Sequence, residues 1–316
     1  MTRFFTFIGV TTGQSSIMHI FPRWRDLLGL GADIEIVGRD LPIHAPAEEY
    51  RRVVETQRGD PAAVGALVTT HKIDLYHAAR DLFEQVDEYV DLLDEVSCMA
   101  MHDGRFQAWA TDSIAAGRTM DETLGPHYFG RTGAHLLCFG AGGAARAIIL
   151  YLLTRPAGTD RPARMIVTDL SGDRLRSVRA LQRHVLPDTR AEYVENGDPA
   201  ANDRLLLDLP PGSVVINATG MGKDKPGSPL TDEALFPKGG IAWDLNYRGD
   251  LTFLRQVAPQ QASRQVQIHD GWRYFIRGWT AVMEKVFART ITAEELKALT
   301  EAAEFARPPG PPRGTP

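Results

Sequence analysis

The stretch AHLLCFGAGGAARAIILYLL, residues 134–153, constrains the chain more than any other. A short β-favouring run enters a turn carrying Gly140, Gly142 and Gly143, and the turn passes directly into an alanine- and leucine-rich helical segment. Without side chains the backbone can bend sharply there and approach a pyrophosphate at the helix N-terminus. A bare GxGG is also compatible with a tight turn that holds nothing. The context narrows the choice, because the next β-rich run, RMIVTDL, ends in the acid Asp169. Strand, glycine turn, helix and a second strand tipped by an acid is the order that a dinucleotide site requires, which points to a nicotinamide cofactor.

The same alternation runs along the whole chain. Residues 4–10, 32–41, 65–70 and 106–112 read as strands. Between them, SIMHIFPRWRDLLGL, AEEYRRVVETQRG and IDLYHAARDLFEQVDEYVDLLDEV carry apolar residues at helical spacing. A second series of strands follows the glycine turn in RMIVTDL, SVVINAT and GIAWDLNY. Strands separated by helices of this length imply βαβ units and a mostly parallel sheet. At 316 residues the chain has room for two such α/β lobes, with a boundary near residues 120–132. The expected organisation is a first domain over 1–120, completed by C-terminal helices at about 271–306, a second domain over 121–270, and a proline- and glycine-rich disordered tail at 307–316.

Charge and composition exclude several classes. The 35 basic and 40 acidic side chains give a net charge of −5 and are scattered along the chain, so no nucleic-acid partner is expected. The two cysteines, Cys98 and Cys138, form no CxxC pair and fit a reducing compartment. The opening MTRFFTFIGV lacks a cleavage pattern, and the longest apolar run, AIILYLL at 147–153, falls short of the roughly 20 residues that cross a bilayer. A cytoplasmic protein with no membrane partner is expected. The nine histidines show no HxxxH or HExxH spacing, so no metal is expected, and neither a GxSxG elbow nor a GKS or GKT phosphate loop occurs.

Six stretches, ALVTTHK, AWATDS, FGAGGAARA, INATGMG, WDLNYRGDLT and DGWRYFIRGW, lie between Gly9 and about Phe287. Their order and spacing resemble the motifs NVTxPxK, NTDG, GAGGAARA, NATxxG, DxxYxPxxT and DGxxMLxxQA of the shikimate/quinate dehydrogenase family. The resemblance implies an N-terminal α/β substrate domain, a C-terminal Rossmann domain and a catalytic cleft between them. Hydride would pass there between a nicotinamide cofactor and a ring alcohol or ketone. It also implies that Lys72 and Asp112 flank the reacting hydroxyl as an acid/base pair, a role for which a lysine beside a carboxylate is chemically suited. The matching cofactor-binding positions are Gly140, Ala141, Gly142, Gly143, Ala144, Asp169, Leu170, Asn217, Ala218, Thr219, Gly220, Leu245 and Gly271.

The departures fall on the substrate side. Where the family carries an SxSP pattern this chain has Ser15, with Ser16 alongside, and Ile17 and Met18 replace the second serine and the proline. Ala66 and Val68 stand for an asparagine and a threonine, leaving Thr69 as a candidate donor. Ser97 and Cys98 stand for another such pair, Ala110 for the asparagine of NTD, Gly278 for a glutamine and Tyr274 for a methionine. The expected substrate-binding set is Ser15, Ser16, Thr69, Ser97, Tyr247 and Tyr274. Loss of so many donors points to an altered substrate, a polyol or cyclic hydroxy acid that is quinate- or shikimate-like, a cyclitol or an aminocyclitol. Trp109, Trp272, Tyr274 and Trp279 can line a pocket or form core, and Trp279 reads as core. Leu170 replaces an arginine of NADP-dependent members, which with Asp169 favours NAD over NADP, although Arg174 lies one turn further on. Alternatives are a silent dinucleotide-binding regulatory protein, a genuine shikimate dehydrogenase with a rearranged carboxylate site, and a one-carbon-folate dehydrogenase. A monomer or homodimer is expected.

Overall fold

The computed structural model describes residues 2–155, 160–223 and 225–310. Of the expected tail, residues 311–316 lie outside the described residues. Contacts divide the chain into two units, one comprising the chain up to Asp112 with Gly278–Arg307, the other Ser113–Arg277. The protein is α/β, with a six-stranded sheet in each unit.

The first unit runs β1 (Arg3–Gly9), α1 (Ile17–Leu27), β2 (Ile34–Asp40), α2 (Ala47–Gly59), β3 (Ala63–Val68), α3 (Lys72–Ala79), β4 (Gln85–Val86), α4 (Glu88–Leu93), β5 (Cys98–His102) and β6 (Arg105–Trp109). The sheet order is β2-β1-β3-β5-β6-β4. It is mixed, because β5 is antiparallel to both β3 and β6. The sequence 73–96 reads as one continuous helix, yet it is broken. A 3₁₀ turn at Arg80–Leu82 ends α3, and β4 then pairs with β6. The break has local causes. Phe83 stacks on Phe106 with ring centroids 5.3 Å apart, the Glu84 carboxylate accepts from the Phe106 amide, and Asp87 caps α4 by accepting from Val90 N at 3.0 Å. Tertiary pairing has overridden helical periodicity.

The second unit contains α5 (Asp112–Leu124), whose first residue belongs to the other unit, then α6 (Tyr128–Thr132), β7 (Leu136–Phe139), α7 (Gly143–Thr154), β8 (Met165–Asp169), α8 (Gly172–Val185), β9 (Ala191–Glu195) and α9 (Pro199–Leu207). It continues through β10 (Val214–Asn217), β11 (Ile241–Asp244), α10 (Thr252–Val257), α11 (Gln261–Arg264) and β12 (Gln267–His269). All five ladders in the order β12-β11-β10-β7-β8-β9 are parallel. Side chains alternate between two apolar clusters. Leu136 and Cys138 join one, and Leu137 and Phe139 join the other. Both faces of the sheet are therefore covered, as a parallel sheet requires.

The helices α12 (Trp272–Val286) and α13 (Ala293–Ala303) follow. From Gly278 onward they belong to the first unit. Trp279 lies edge-on to Phe7 at 4.9 Å and to Phe5 at 6.1 Å, and Trp24 Nε1 donates to Leu299 O at 2.8 Å. Trp279 is core, as its position in the sequence suggests. Gly65 has φ +145°, and a Cβ there would lie 2.6 Å from Met99 O and 2.8 Å from a Val286 methyl, so the β3 backbone tolerates no side chain at that point. Among the described residues no helix is long and apolar enough to cross a membrane.

Removing the Trp279 ring deletes an aromatic seam between β1 and the C-terminal helices. Trp279→Ala should destabilise the protein by about 3–5 kcal/mol, the usual range for a buried Trp truncation. A urea titration followed by circular dichroism should show the midpoint falling; an unchanged midpoint would refute the role given to this contact.

Candidate active site

Lys72 begins α3 directly after β3, and the turn between them is strained. Thr69 N donates to Ile8 O at 2.9 Å and His71 N donates to Thr69 O, with Thr70 between them at φ 53°. Left-handed backbone is costly for a β-branched residue and persists only where its surroundings enforce it. His71 is buried, and its Nδ1 lies 3.0 Å from the Tyr50 hydroxyl. The turn is thus pinned on both sides of Thr70, which fixes the direction of Lys72.

The Lys72 ammonium donates to Asp112 Oδ2. Ser97 Oγ donates to Asp112 Oδ1 at 3.3 Å. Only 17% of the lysine side chain and 21% of the aspartate side chain are exposed, so the pair has an open side yet is shielded from most solvent. Burial alone would lower the lysine pKa. Asp112 and then Glu95, itself 2% exposed, outweigh that and hold the ammonium above its ordinary value. Glu95 escapes sequence reading because one acid after a helical run carries no pattern. The arrangement of an ammonium on a carboxylate, steadied by a hydroxyl, can pass a proton to or from an adjacent oxygen.

The remaining substrate candidates divide. Ser15 lies in the turn before α1, its amide donating to Thr12 O at 3.0 Å, and Thr69 lies one turn before Lys72. The Ser16 hydroxyl donates to Ala306 O at 2.9 Å, so it helps dock the C-terminal segment. Tyr247 and Tyr274 belong to the second unit. Tyr247 packs against Phe275 at 4.9 Å and Trp272 at 5.5 Å, and Tyr274 lies edge-on to Trp243 at 6.0 Å. Trp272 is 3% exposed and is core. Trp109 packs against His102 at 5.2 Å.

In the second unit the expected cofactor residues collect at the carboxyl ends of β7, β8, β10, β11 and the loop after β12. From β7 the chain winds outward to β8 and β9 on one side and later to β10, β11 and β12 on the other, so the sheet reverses its direction of winding between β7 and β10. Ligands of open parallel sheets bind at such a reversal. Gly140 lies there with φ +100°, and a Cβ on it would meet Ala218 O at 2.7 Å. A Cβ on Gly142 would meet nothing within 4 Å, and no side chain caps the first amides of α7. A cradle of this shape fits a pyrophosphate. Gly143 and Ala144 form the first turn of α7.

Asp169 has a structural task that its sequence position does not reveal. Its Oδ2 accepts from Ala141 N at 2.7 Å and its Oδ1 from Ser171 N at 2.9 Å, tying the glycine turn to the end of β8. Leu170 beside it is 70% exposed, and a Cβ on Gly172 would lie 2.6 Å from the Glu195 carboxylate. Asn217 Oδ1 accepts from Thr219 Oγ1 at 2.7 Å and from Thr219 N at 3.2 Å, shaping the turn that leads to Gly220 at φ 73°. Leu245 N donates to Asn217 O at 3.0 Å, and a Cβ on Gly271 would fall 2.0 Å from Leu245 O. Beneath this rim, Asp244 Oδ1 accepts from Asn217 Nδ2 at 3.1 Å and from Asn246 N at 2.9 Å, while its Oδ2 is buried without a hydrogen-bond partner. Burial pushes the Asp244 carboxyl up to about 7, against the pull of those hydrogen bonds. Sequence reading passed over both Glu195 and Asp244.

No family model matches the chain. Relatives do. The shikimate dehydrogenase (NADP(+)) of Salinibacter ruber is 30% identical over 205 residues, 63% of this chain and 66% of that protein, so the match spans just under two thirds of its length. That of Streptococcus gordonii is 27% identical over 229 residues, 70% of this chain and 73% of its own. The chain belongs to the shikimate/quinate dehydrogenase family. The fold of that family extends over nearly the whole chain. Quinate dehydrogenase from Corynebacterium glutamicum, solved in complex with NAD, superposes with a TM-score of 0.74 at 17% identity, covering 96% of this chain and 99% of that one. The 5-ketofructose reductase of a Gluconobacter strain, solved ligand-free, gives 0.70 at 17%, covering 96% and 99%.

The raised pKa of Asp244 carries a sign. Folded, the carboxyl holds its proton more tightly than in the unfolded chain, where an aspartate titrates near 4. Its contribution to stability is therefore full below about pH 4 and is lost as the pH rises through about 7. The stability difference between Asp244→Asn and the parent should shift in favour of the variant between pH 5 and pH 8. Urea midpoints of both proteins at several pH values in that window provide the check, and a pH-independent difference would refute the assignment.

Proposed function

We propose that this member of the shikimate/quinate dehydrogenase family is an oxidoreductase that transfers hydride reversibly between NAD and a secondary alcohol of a small polyol or cyclic hydroxy acid. The observation that carries the reading is the ammonium of Lys72 held on Asp112 by a strained, doubly pinned turn. A module that only sensed a dinucleotide would have no use for a shielded proton-transfer pair.

The residues fit a dinucleotide. Gly140, Ala141, Gly142, Gly143 and Ala144 would hold the pyrophosphate, and Asn217, Ala218, Thr219, Gly220, Leu245 and Gly271 would border the nicotinamide half. A bound nicotinamide would supply or accept the hydride. In the reductive direction the carbonyl carbon gains that hydride, the π pair moves onto oxygen, and Lys72 Nζ gives the oxygen a proton. In the oxidative direction the hydroxyl proton moves to the Lys72–Asp112 pair as the carbon loses hydride. Ser97 keeps the Asp112 carboxylate turned toward the lysine throughout.

Two negative groups and one apolar side chain support NAD over NADP. Asp169 and Glu195 bracket the exposed Leu170, so a 2′-phosphate brought there would meet two carboxylates, while the Arg176 guanidinium beside Glu195 is paired with Asp173. Arg174 follows one turn into α8, its amide engaged by the Ser171 hydroxyl. The Salinibacter ruber relative is a shikimate dehydrogenase (NADP(+)), while the quinate dehydrogenase was solved with NAD.

Lys72→Ala should lower kcat by about 10² or more while cofactor affinity stays within about threefold. Steady-state rates and a fluorescence titration with NADH measure the two; turnover near the parent rate would refute the role. On the cofactor side, kcat/KM should favour NAD by at least about tenfold, or roughly 1.4 kcal/mol. Leu170→Arg combined with Glu195→Gln should narrow or reverse that ratio. Asp169→Asn should weaken both cofactors together, since it loosens the glycine turn. A parent enzyme that prefers NADP would overturn this assignment.

A further inference from the structure

We propose that β2 is a self-complementary edge on which a second copy of this chain docks, its own β2 running antiparallel to the first, so that the sheets of the two first units join into one. This goes beyond the oxidoreductase reading and does not depend on it.

Strand β2 ends the sheet order β2-β1-β3-β5-β6-β4, and its seven residues leave a long edge, whereas β4 at the opposite edge has two. Which of its backbone groups face outward follows from the bonds at its two ends. Asp33 O accepts from Arg3 N at 2.9 Å and Leu41 N donates to Gly9 O at 2.8 Å, so the odd-numbered residues turn toward β1. The register runs without a shift from Arg3 opposite Ile34 to Gly9 opposite Asp40, and the backbone groups of a strand alternate in direction. Ile34, Ile36, Gly38 and Asp40 therefore turn away from β1. Ile34 is already engaged, its amide donating to Gly31 O at 3.1 Å and its carbonyl accepting from Arg25 Nη1 at 3.3 Å. Ile36 and Gly38 have no such partners among the described residues, and each offers a donor and an acceptor at the open edge.

The side chains match a two-fold pairing. Glu35, Val37 and Arg39 share one face of the strand, and all three are exposed, Val37 by 46%. The other face is closed at Gly38, where a Cβ would lie 2.2 Å from Thr12 Oγ1. When Ile36 of one copy exchanges both backbone bonds with Gly38 of the other, the two-fold axis falls at Val37. Val37 then meets Val37, and Glu35 of each copy stands opposite Arg39 of the other in the closer, non-hydrogen-bonded kind of pair. Neither Glu35 nor Arg39 has an ion-pair partner within its own chain among the described residues. A slip of two residues in either direction breaks the match, because Glu35 then faces Val37 or Leu41 rather than a cation. Charge thus selects one register from those that the outward amides allow.

Sedimentation velocity of the parent between about 1 and 100 µM should show a monomer–dimer equilibrium. Glu35→Arg and Arg39→Glu, each of which sets like charges face to face twice, should each weaken the dimer at least about tenfold. Mixed in equal amounts, the two variants restore both opposite-charge pairs and should form a heterodimer within about threefold of the parent's affinity. In the parent, the Ile36 and Gly38 amides should exchange hydrogen more slowly as the dimer fills. A parent that stays monomeric over that range, a dimer indifferent to both variants, or a mixture that associates no more tightly than either variant alone overturns the proposal. If a variant does not fold, the exchange measurement decides alone, and Ile36 and Gly38 amides that exchange at the same rate in monomer and dimer overturn it.

Discussion

The contact between Gly140 and Ala218 is the constraint on which the second unit depends. It joins the two halves of the parallel sheet where their winding directions part, and it succeeds only because one partner has no side chain and can adopt a positive φ. Helix α7 starts just beyond that contact, with no side-chain cap on its first amides. Asp169 secures the turn from the β8 side and the Asn217–Thr219 hydrogen bonds secure it from the β10 side. The same close approach recurs at Gly271 against Leu245 O, so the rim is built from backbone meeting backbone. Side chains beneath the rim, Asp244 above all, carry the cost of burial that such packing imposes.

Much of this was legible before any coordinates. The glycine turn, the βαβ alternation and the return of the C-terminal helices follow from local pattern, because a parallel sheet needs apolar strands and a helix between them. The pairing of Lys72 with Asp112 was legible only through resemblance, as residues 40 apart in sequence have no local rule to unite them. What stayed hidden depended on long-range partners. The helix expected over 73–96 breaks because Phe83 and Glu84 find Phe106, a contact no periodicity encodes. Asp169 reads from sequence as an acid on the cofactor side, but its task of holding the Ala141 and Ser171 amides across the glycine turn has no local signature. Glu95 was passed over because a buried acid announces itself only when its cation is in view.

The two units also differ in how their chemistry is held. Around Lys72 the positions are fixed by side-chain charge and one strained residue, Thr70, so small substitutions there trade directly between geometry and protonation. Along the glycine rim the positions are fixed by hydrogen-bonded backbone, which tolerates exchange of exposed side chains such as Leu170. Divergence of substrate and divergence of cofactor can accordingly proceed by different routes in one chain, through charge in the first case and through surface side chains in the second.

The C-terminal helices that close the first unit have a consequence for the order of events at the ribosome. Phe5 and Phe7 complete their packing only on Trp279, and Trp24 finds its acceptor only at Leu299. Residues of β1 and α1 thus wait for partners made as much as 275 positions later in the chain. The second unit, from Ser113 to Arg277, is continuous in the chain and can condense while that wait lasts. Nascent β1 and β3 spend the interval with apolar faces uncovered, making the N-terminal half the portion most dependent on chaperone shelter.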